Sequence, residues 1–147
     1  MTGRVVLDAS AAIHLVLLSP YAEALSRSLA QAGVSMAPDL FFSEVANGLW
    51  KYVRHGSLDQ ETALVRLEQA MELTDSIIPS RVLATEALVA ASVEGHPVYD
   101  MMYAILARRH GATVLTMDKP FSGLLRKMGI AVIYPPAQDQ MEETQIP

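Results

Sequence analysis

Short β-branched runs alternate with longer stretches of helical periodicity along the chain, and this alternation leaves little choice of architecture. Strands are expected at 5–7, 34–38 ("VSMAP"), 76–78 ("SII"), 113–117 and 130–135 ("IAVIYP"), with helical segments between them. A strand that returns through a helix runs parallel to its predecessor, whereas antiparallel neighbours are usually joined by tight turns. The pattern therefore implies an α/β fold: a single three-layer α/β/α domain with a mostly parallel central sheet covered on both faces. A chain of 147 residues, 51% of them hydrophobic, supports one such core and not two.

The helix boundaries carry their own signals. Ser10 is a plausible cap for a helix over 10–18, Pro20 opens the next and Gly33 ends it, and Asp39 precedes "LFFSEVANGLWKYVRHG" as its cap. Ser57 or Asp59 caps the following amphipathic stretch, another helix spans 80–93, and Pro97 and Gly111 bracket a helix that ends at His110. Arg4 followed by the apolar stretch 9–18 imitates a secretory leader. Asp8, His14 and Pro20 interrupt it, and no run reaches the roughly 18 apolar residues of a membrane helix. The expectation is a cytoplasmic protein with no membrane partner.

Composition removes several chemistries. Without cysteine there is no disulfide framework and no thiolate metal site. No G-x-S-x-G, phosphate-binding glycine loop or H-x-x-x-H occurs. The net charge of −5 counts at first against a polyanionic partner. Three acids, however, fall in the last nine residues, and four more are the site candidates considered next, so nucleic acid stays admissible.

Two strands end on aspartate, "VVLD" at Asp8 and "VLTMD" at Asp118, at the carboxyl edge where parallel sheets bind ligands. Either aspartate alone could be a helix cap. Asp100 in "HPVYDMM" and Glu44 in "FFSEV" also sit among large apolar residues instead of on a solvated face. Four carboxylates in one pocket would repel, at about 4 kcal/mol for a pair 4 Å apart at an effective dielectric of 20. A hard divalent cation relieves this, and oxygen ligands suit Mg²⁺ or Mn²⁺ better than zinc. Such an ion can activate water and hold a phosphate, so the chemistry points to phosphoryl substrates.

"VVLDASAAI", "FFSEVANGLW", "GHPVYDMMYAILARRHGATVLTMDKPF" and "GIAVIY" together resemble the PIN-domain family, particularly VapC-type toxins of toxin–antitoxin pairs. The resemblance runs from Val5 to about Tyr134. It implies a PIN-like nuclease domain over 1–136; the polar composition of 137–147 reads separately as a flexible tail. It also implies Mg²⁺- or Mn²⁺-dependent endoribonuclease activity on an RNA substrate, a homodimer, and inhibition by a cognate antitoxin. By position Asp8, Glu44, Asp100 and Asp118 match the family's acidic quartet, Thr116 matches its polar pocket residue, and Ser10 is a further candidate. After Asp118, "KPFS" brings no additional acid.

Two other readings compete. A small metal-dependent phosphatase or phosphotransfer domain would use Asp8 as nucleophile, but serine stands where a D-x-D would place its second acid. A non-catalytic RNA-binding or assembly module would keep the acids for structure. Among the remaining residues, Lys119 beside Asp118 is the best-placed cation for RNA. Arg108 and Arg109 lie about 12 to 14 Å along the helix from Asp100, too far for the chemistry. Trp50 reads as core or dimer interface, His14 as a packed histidine, and His55, His96 and His110 as capping or solvated side chains.

Overall fold

In the computed structural model, which describes residues 3–137, the chain runs β1 (Gly3–Leu7), α1 (Ala9–Val16), α2 (Ala22–Gln31), β2 (Ala32–Pro38), α3 (Leu40–Arg54), α4 (Gln60–Met71), β3 (Ser76–Ile78), α5 (Ser80–Glu94), α6 (Val98–His110), β4 (Thr113–Leu115), α7 (Lys119–Lys127) and β5 (Val132–Ile133). The five strands form one sheet in the order β3-β2-β1-β4-β5, and every pairing is parallel. The three-layer α/β/α expectation is met. The polar tail expected at 137–147 lies, apart from Ala137, outside the described residues. Among those residues no helix is long and apolar enough to cross a membrane.

The strand order determines where a ligand can sit. From β1 the chain steps outward through β2 to β3, then crosses back to add β4 and β5 on the other side of β1. The connections therefore diverge between β1 and β4 and leave a crevice beyond their carboxyl ends. Central position explains composition here: Val5, Val6 and Leu7 are buried because β1 has a strand on each side and helices above and below.

The middle of α6 is buried on all sides. Residues 101–107 are buried without interruption, because α6 rests on β1, β2 and β4 while α5 packs along its other side. A helix this enclosed needs no polar stripe, hence "MMYAILA". Elsewhere Gly48 lets Ile13 of α1 approach α3 so closely that a β-carbon would overlap the isoleucine's end.

Some local expectations fail for identifiable reasons. Asp39 makes no cap on α3; its carboxylate instead accepts the Ser80 backbone N–H at 3.0 Å and the Ser80 hydroxyl, at the start of α5. Gly33 does not terminate α2, because the chain turns into β2 at Ala32 with extended dihedrals. Ser10 lies inside α1 and caps nothing, since Asp8 takes the N-cap position. Pro20 precedes α2 by two residues, and β4 stops at Leu115, short of Met117. Of the two places expected for Trp50, core or dimer interface, the core is excluded: it is 50% exposed, with the Arg54 guanidinium 4.8 Å from its ring centroid. Asp59 caps α4 as expected, accepting the Thr62 N–H at 2.8 Å.

Candidate active site

Asp8 follows the last residue of β1 directly, and its N–H still donates to Leu115 O at 3.0 Å, so β1 and β4 end level. That alignment places Asp8 beside Thr116, both buried. The Ser10 and Thr116 hydroxyls each donate to Asp8 Oδ2 at 2.7 Å. Each hydroxyl in turn accepts a backbone N–H, Ser10 from Met117 at 2.9 Å and Thr116 from Asp118 at 3.0 Å. A hydroxyl has one hydrogen, and here both are aimed at the same carboxylate oxygen. The turn after β4 thus clamps Asp8 through two side chains.

Asp118 arrives from the same turn. Its Oδ1 accepts the Phe121 N–H at 3.0 Å, so it caps α7 and sits at the crevice at once. Asp100 comes from the first turn of α6, where its Oδ2 lies 2.6 Å from His96 Nε2. Glu44 reaches in from the early part of α3, and its Oε1 is buried without a hydrogen-bond partner. The Tyr103 hydroxyl, fully buried on α6, faces Glu44 outside hydrogen-bonding geometry and is likewise unpaired.

The electrostatics register the convergence. Burial pushes the Asp8 carboxyl up to about 6 against the pull of the Ser10 and Thr116 hydroxyls, with Asp100 and Asp118 adding repulsion. Burial likewise raises Glu44 to about 7, the nearby Tyr103 hydroxyl opposing and the charges of Asp8 and Asp100 reinforcing. Asp100 is raised by burial and by Asp118, partly offset by His96. Tyr103 is pushed upward by burial and by the charges of Asp8 and Glu44. The charges of Asp100 and Asp118 thus reach Asp8, those of Asp8 and Asp100 reach Glu44, and that of Asp118 reaches Asp100.

The donor set suits a hard cation. It consists of carboxylate and hydroxyl oxygens, it carries excess negative charge, and Glu44 Oε1 is an orphaned buried acceptor. Among the described residues no group of three or more histidine, aspartate or glutamate side chains is gathered tightly enough to enclose an ion. Oxygen donors of this kind suit Mg²⁺ or Mn²⁺, since Mg²⁺ usually keeps several of its waters and does not need a cage made wholly of protein ligands.

His96 is the site residue that sequence reasoning missed. It was expected as a capping or solvated side chain, yet it contacts Asp100 and stacks on Phe121, with ring centroids 6.4 Å apart and planes inclined by 24°. The signal was present in "HPVYD", a histidine four residues before an acid. His14 behaves as expected, bonded to Ser19 Oγ at 2.8 Å. Arg109 pairs with Glu86 at 2.8 Å, with Arg108 4.0 Å from the same carboxylate, and Lys119 is exposed at the start of α7.

Residues 5–124 match the family model described as "PIN domain". The curated Ribonuclease VapC3 of Pyrobaculum aerophilum is 34% identical over 118 residues, 79% of this chain and 90% of that protein. The crystal structure of PAE2754 from Pyrobaculum aerophilum superposes with a TM-score of 0.68 at 25% identity, covering 88% of this chain and 83% of that one. VapBC2 from Rickettsia felis, solved bound to a DNA fragment from its promoter, gives a TM-score of 0.62 at 16% identity, over 89% and 98% of the two chains. The last of these likeness measures speaks to the fold alone.

Proposed function

Because the chain belongs to the PIN domain family, we propose that its acidic crevice is the active site of a ribonuclease, the toxin component of a toxin–antitoxin pair, which hydrolyses RNA phosphodiester bonds internally. The observation that carries this is the convergence of Asp8, Glu44, Asp100 and Asp118 beyond the ends of β1 and β4, with Asp8, Glu44 and Asp100 each raised in part by the charge of another of the four. Repelling carboxylates are a cost to the fold unless a ligand offsets them. The curated relative, similar over nine-tenths of its own length, is a ribonuclease.

The residues divide the work as follows. Asp8, Asp100 and Asp118 would hold Mg²⁺ or Mn²⁺, directly or through water, and Glu44 would contact it or orient the attacking water. When bound, the ion supplies neutralisation of the four acids and Lewis acidity toward the phosphate. Ser10 and Thr116 fix the Asp8 carboxylate, so its orientation is set before substrate arrives. Glu44 offers a free buried oxygen to a water hydrogen, and a carboxyl raised to about 7 is poised to take a proton near neutrality. No side chain need become covalently attached to the substrate. Lys119, exposed next to Asp118, is the cation proposed to meet the RNA backbone.

On this reading residues 1–136 form the nuclease domain, acting in the cytoplasm as a homodimer and restrained by a cognate antitoxin. Exposed apolar side chains fit a protein partner: Trp50 and Leu64 line a groove of about 370 Å³ between α3 and α4, while Val89 and Val93 stand out from α5.

The test is to incubate the purified protein with a panel of cellular RNAs, with and without Mg²⁺, beside its Asp100→Asn variant. Cuts that need the ion and vanish in the variant establish both reaction and site. Identical patterns from the two proteins would remove the assignment, and an absence of cleavage by either would favour a non-catalytic module.

A further inference from the structure

His96 has no role in the scheme above, although it makes the shortest side-chain contact of Asp100 and is held with unusual firmness. Its backbone is fixed on both sides. Gly95 ends α5 in the left-handed region at φ 65°, the N–H groups of Gly95 and His96 both donate to Ala91 O at 2.9 and 3.3 Å, and Pro97 follows with φ −57° and ψ 144° as α6 begins. Its ring lies on Phe121, which is fully buried. The His96 and Asp100 side chains are only 21% and 26% exposed, so this is not a solvated surface pair.

The geometry also joins two of the acids. His96 Nε2 lies 2.6 Å from Asp100 Oδ2, and the residue beneath its ring, Phe121, gives its N–H to Asp118 Oδ1 at 3.0 Å. One imidazole therefore touches Asp100 directly and stacks on the residue whose N–H orients Asp118. An ionised carboxylate only accepts, so Nε2 carries the hydrogen of this bond.

We propose that His96 is a positioning residue that holds the Asp100 carboxylate in one orientation, and with it the cation that Asp100 would bind. The inference rests on the metal-dependent reading of the crevice. An unsupported aspartate at a helix start can rotate among rotamers and must be ordered when the ion arrives. A clamped imidazole meets that entropic cost in advance, as partners behind metal ligands do in other sites, where their loss typically weakens metal affinity about 10- to 100-fold.

The experiment measures Mn²⁺ binding to the full chain by the electron paramagnetic resonance of free Mn²⁺, for the parent, His96→Ala and His96→Gln, beside thermal melting and the Mn²⁺ dependence of RNA cleavage. The alanine variant is expected to bind Mn²⁺ about 10-fold or more weakly with little change in melting temperature. Glutamine, whose amide can donate to Asp100, is expected to recover most of the affinity. Cleavage should show the same loss as a higher half-saturating Mn²⁺ concentration, with the rate at saturation largely restored. If alanine unfolds the protein, His96→Leu fills the space over Phe121 without a donor and takes its place in the comparison. A donorless variant that binds Mn²⁺ like the parent overturns the inference alone, as does a glutamine variant no better than the donorless one. A parent that neither binds Mn²⁺ nor cleaves RNA overturns the metal-dependent reading with it.

Discussion

The two sides of the crevice solve the same electrostatic problem differently. Asp8 and Glu44 are both carboxyls pushed up by burial and by neighbouring acids, to about 6 and about 7. On the Asp8 side two hydroxyls, each fed by a backbone N–H, satisfy one carboxylate oxygen, Oδ2. On the Glu44 side a carboxylate oxygen and the Tyr103 hydroxyl face each other unpaired in a buried place. One side is finished by the fold, and the other is left for something that arrives later. On the proposed reading, the difference separates a group held in place to bind the ion from one free to engage water.

The largest expected effect lies on the finished side. Asp8→Asn preserves the shape and the contacts with Ser10 and Thr116 but removes the charge, so RNA cleavage should fall to background while the melting temperature holds or rises. An active Asp8→Asn protein would dissolve the comparison at its source. Glu44→Gln is expected to slow cleavage by about 10²-fold or more, the usual scale for losing general base catalysis.

Stability against pH distinguishes the sides next. Both carboxyls have folded-state values above their ordinary 3.8 and 4.5, so the native protein holds protons that the unfolded chain has released. Their contribution to stability is fully present below about pH 4 and is lost as pH rises through the folded values. Compared with the parent, Asp8→Asn should flatten the fall between about pH 4 and 6, and Glu44→Gln the fall between about pH 4.5 and 7. Mn²⁺ should raise the melting temperature at pH 8 and have little effect at pH 5, because binding competes with protons. Equal stabilisation at both pH values would show that the ion binds elsewhere.

Smaller effects follow from single hydrogen bonds. Thr116→Val removes a donor to Asp8 and the acceptor of the Asp118 N–H, at an expected cost of about 1 to 3 kcal/mol in chemical denaturation, with Thr116→Ser largely neutral. The smallest change should be Tyr103→Phe, which deletes an unpaired buried hydroxyl: neutral or stabilising by up to about 1 kcal/mol in chemical denaturation. A destabilised Tyr103→Phe protein would mean that the hydroxyl is satisfied after all, and the contrast between the two sides would narrow.

Much of this was legible in local patterns. The β-branched runs and their helical spacers carried the architecture, because backbone geometry imposes periods of two and 3.6 on any half-buried element. The aspartates at strand ends marked the binding edge, since parallel strands deliver their last residues to the same rim. Capping was less legible. Asp39 serves α5 and not the helix it precedes, and Ser10 serves a neighbouring carboxylate, because a short polar side chain bonds whichever donor the packed structure brings near.

The chain by itself determined the fold class, the candidate acids and the kind of cation they suit, because those depend on residue type and on order along the backbone. Only the tertiary structure decided how each acid is treated. It aligned Asp8 with Thr116 across β1 and β4, left Glu44 without a partner against Tyr103, and laid His96 on Phe121 next to Asp100. Those outcomes rest on contacts between residues far apart in sequence, or on a loop held rigid by its neighbours. Residue type gives a carboxylate its charge, whereas burial and hydrogen bonding set what that charge costs and which ligand can offset it.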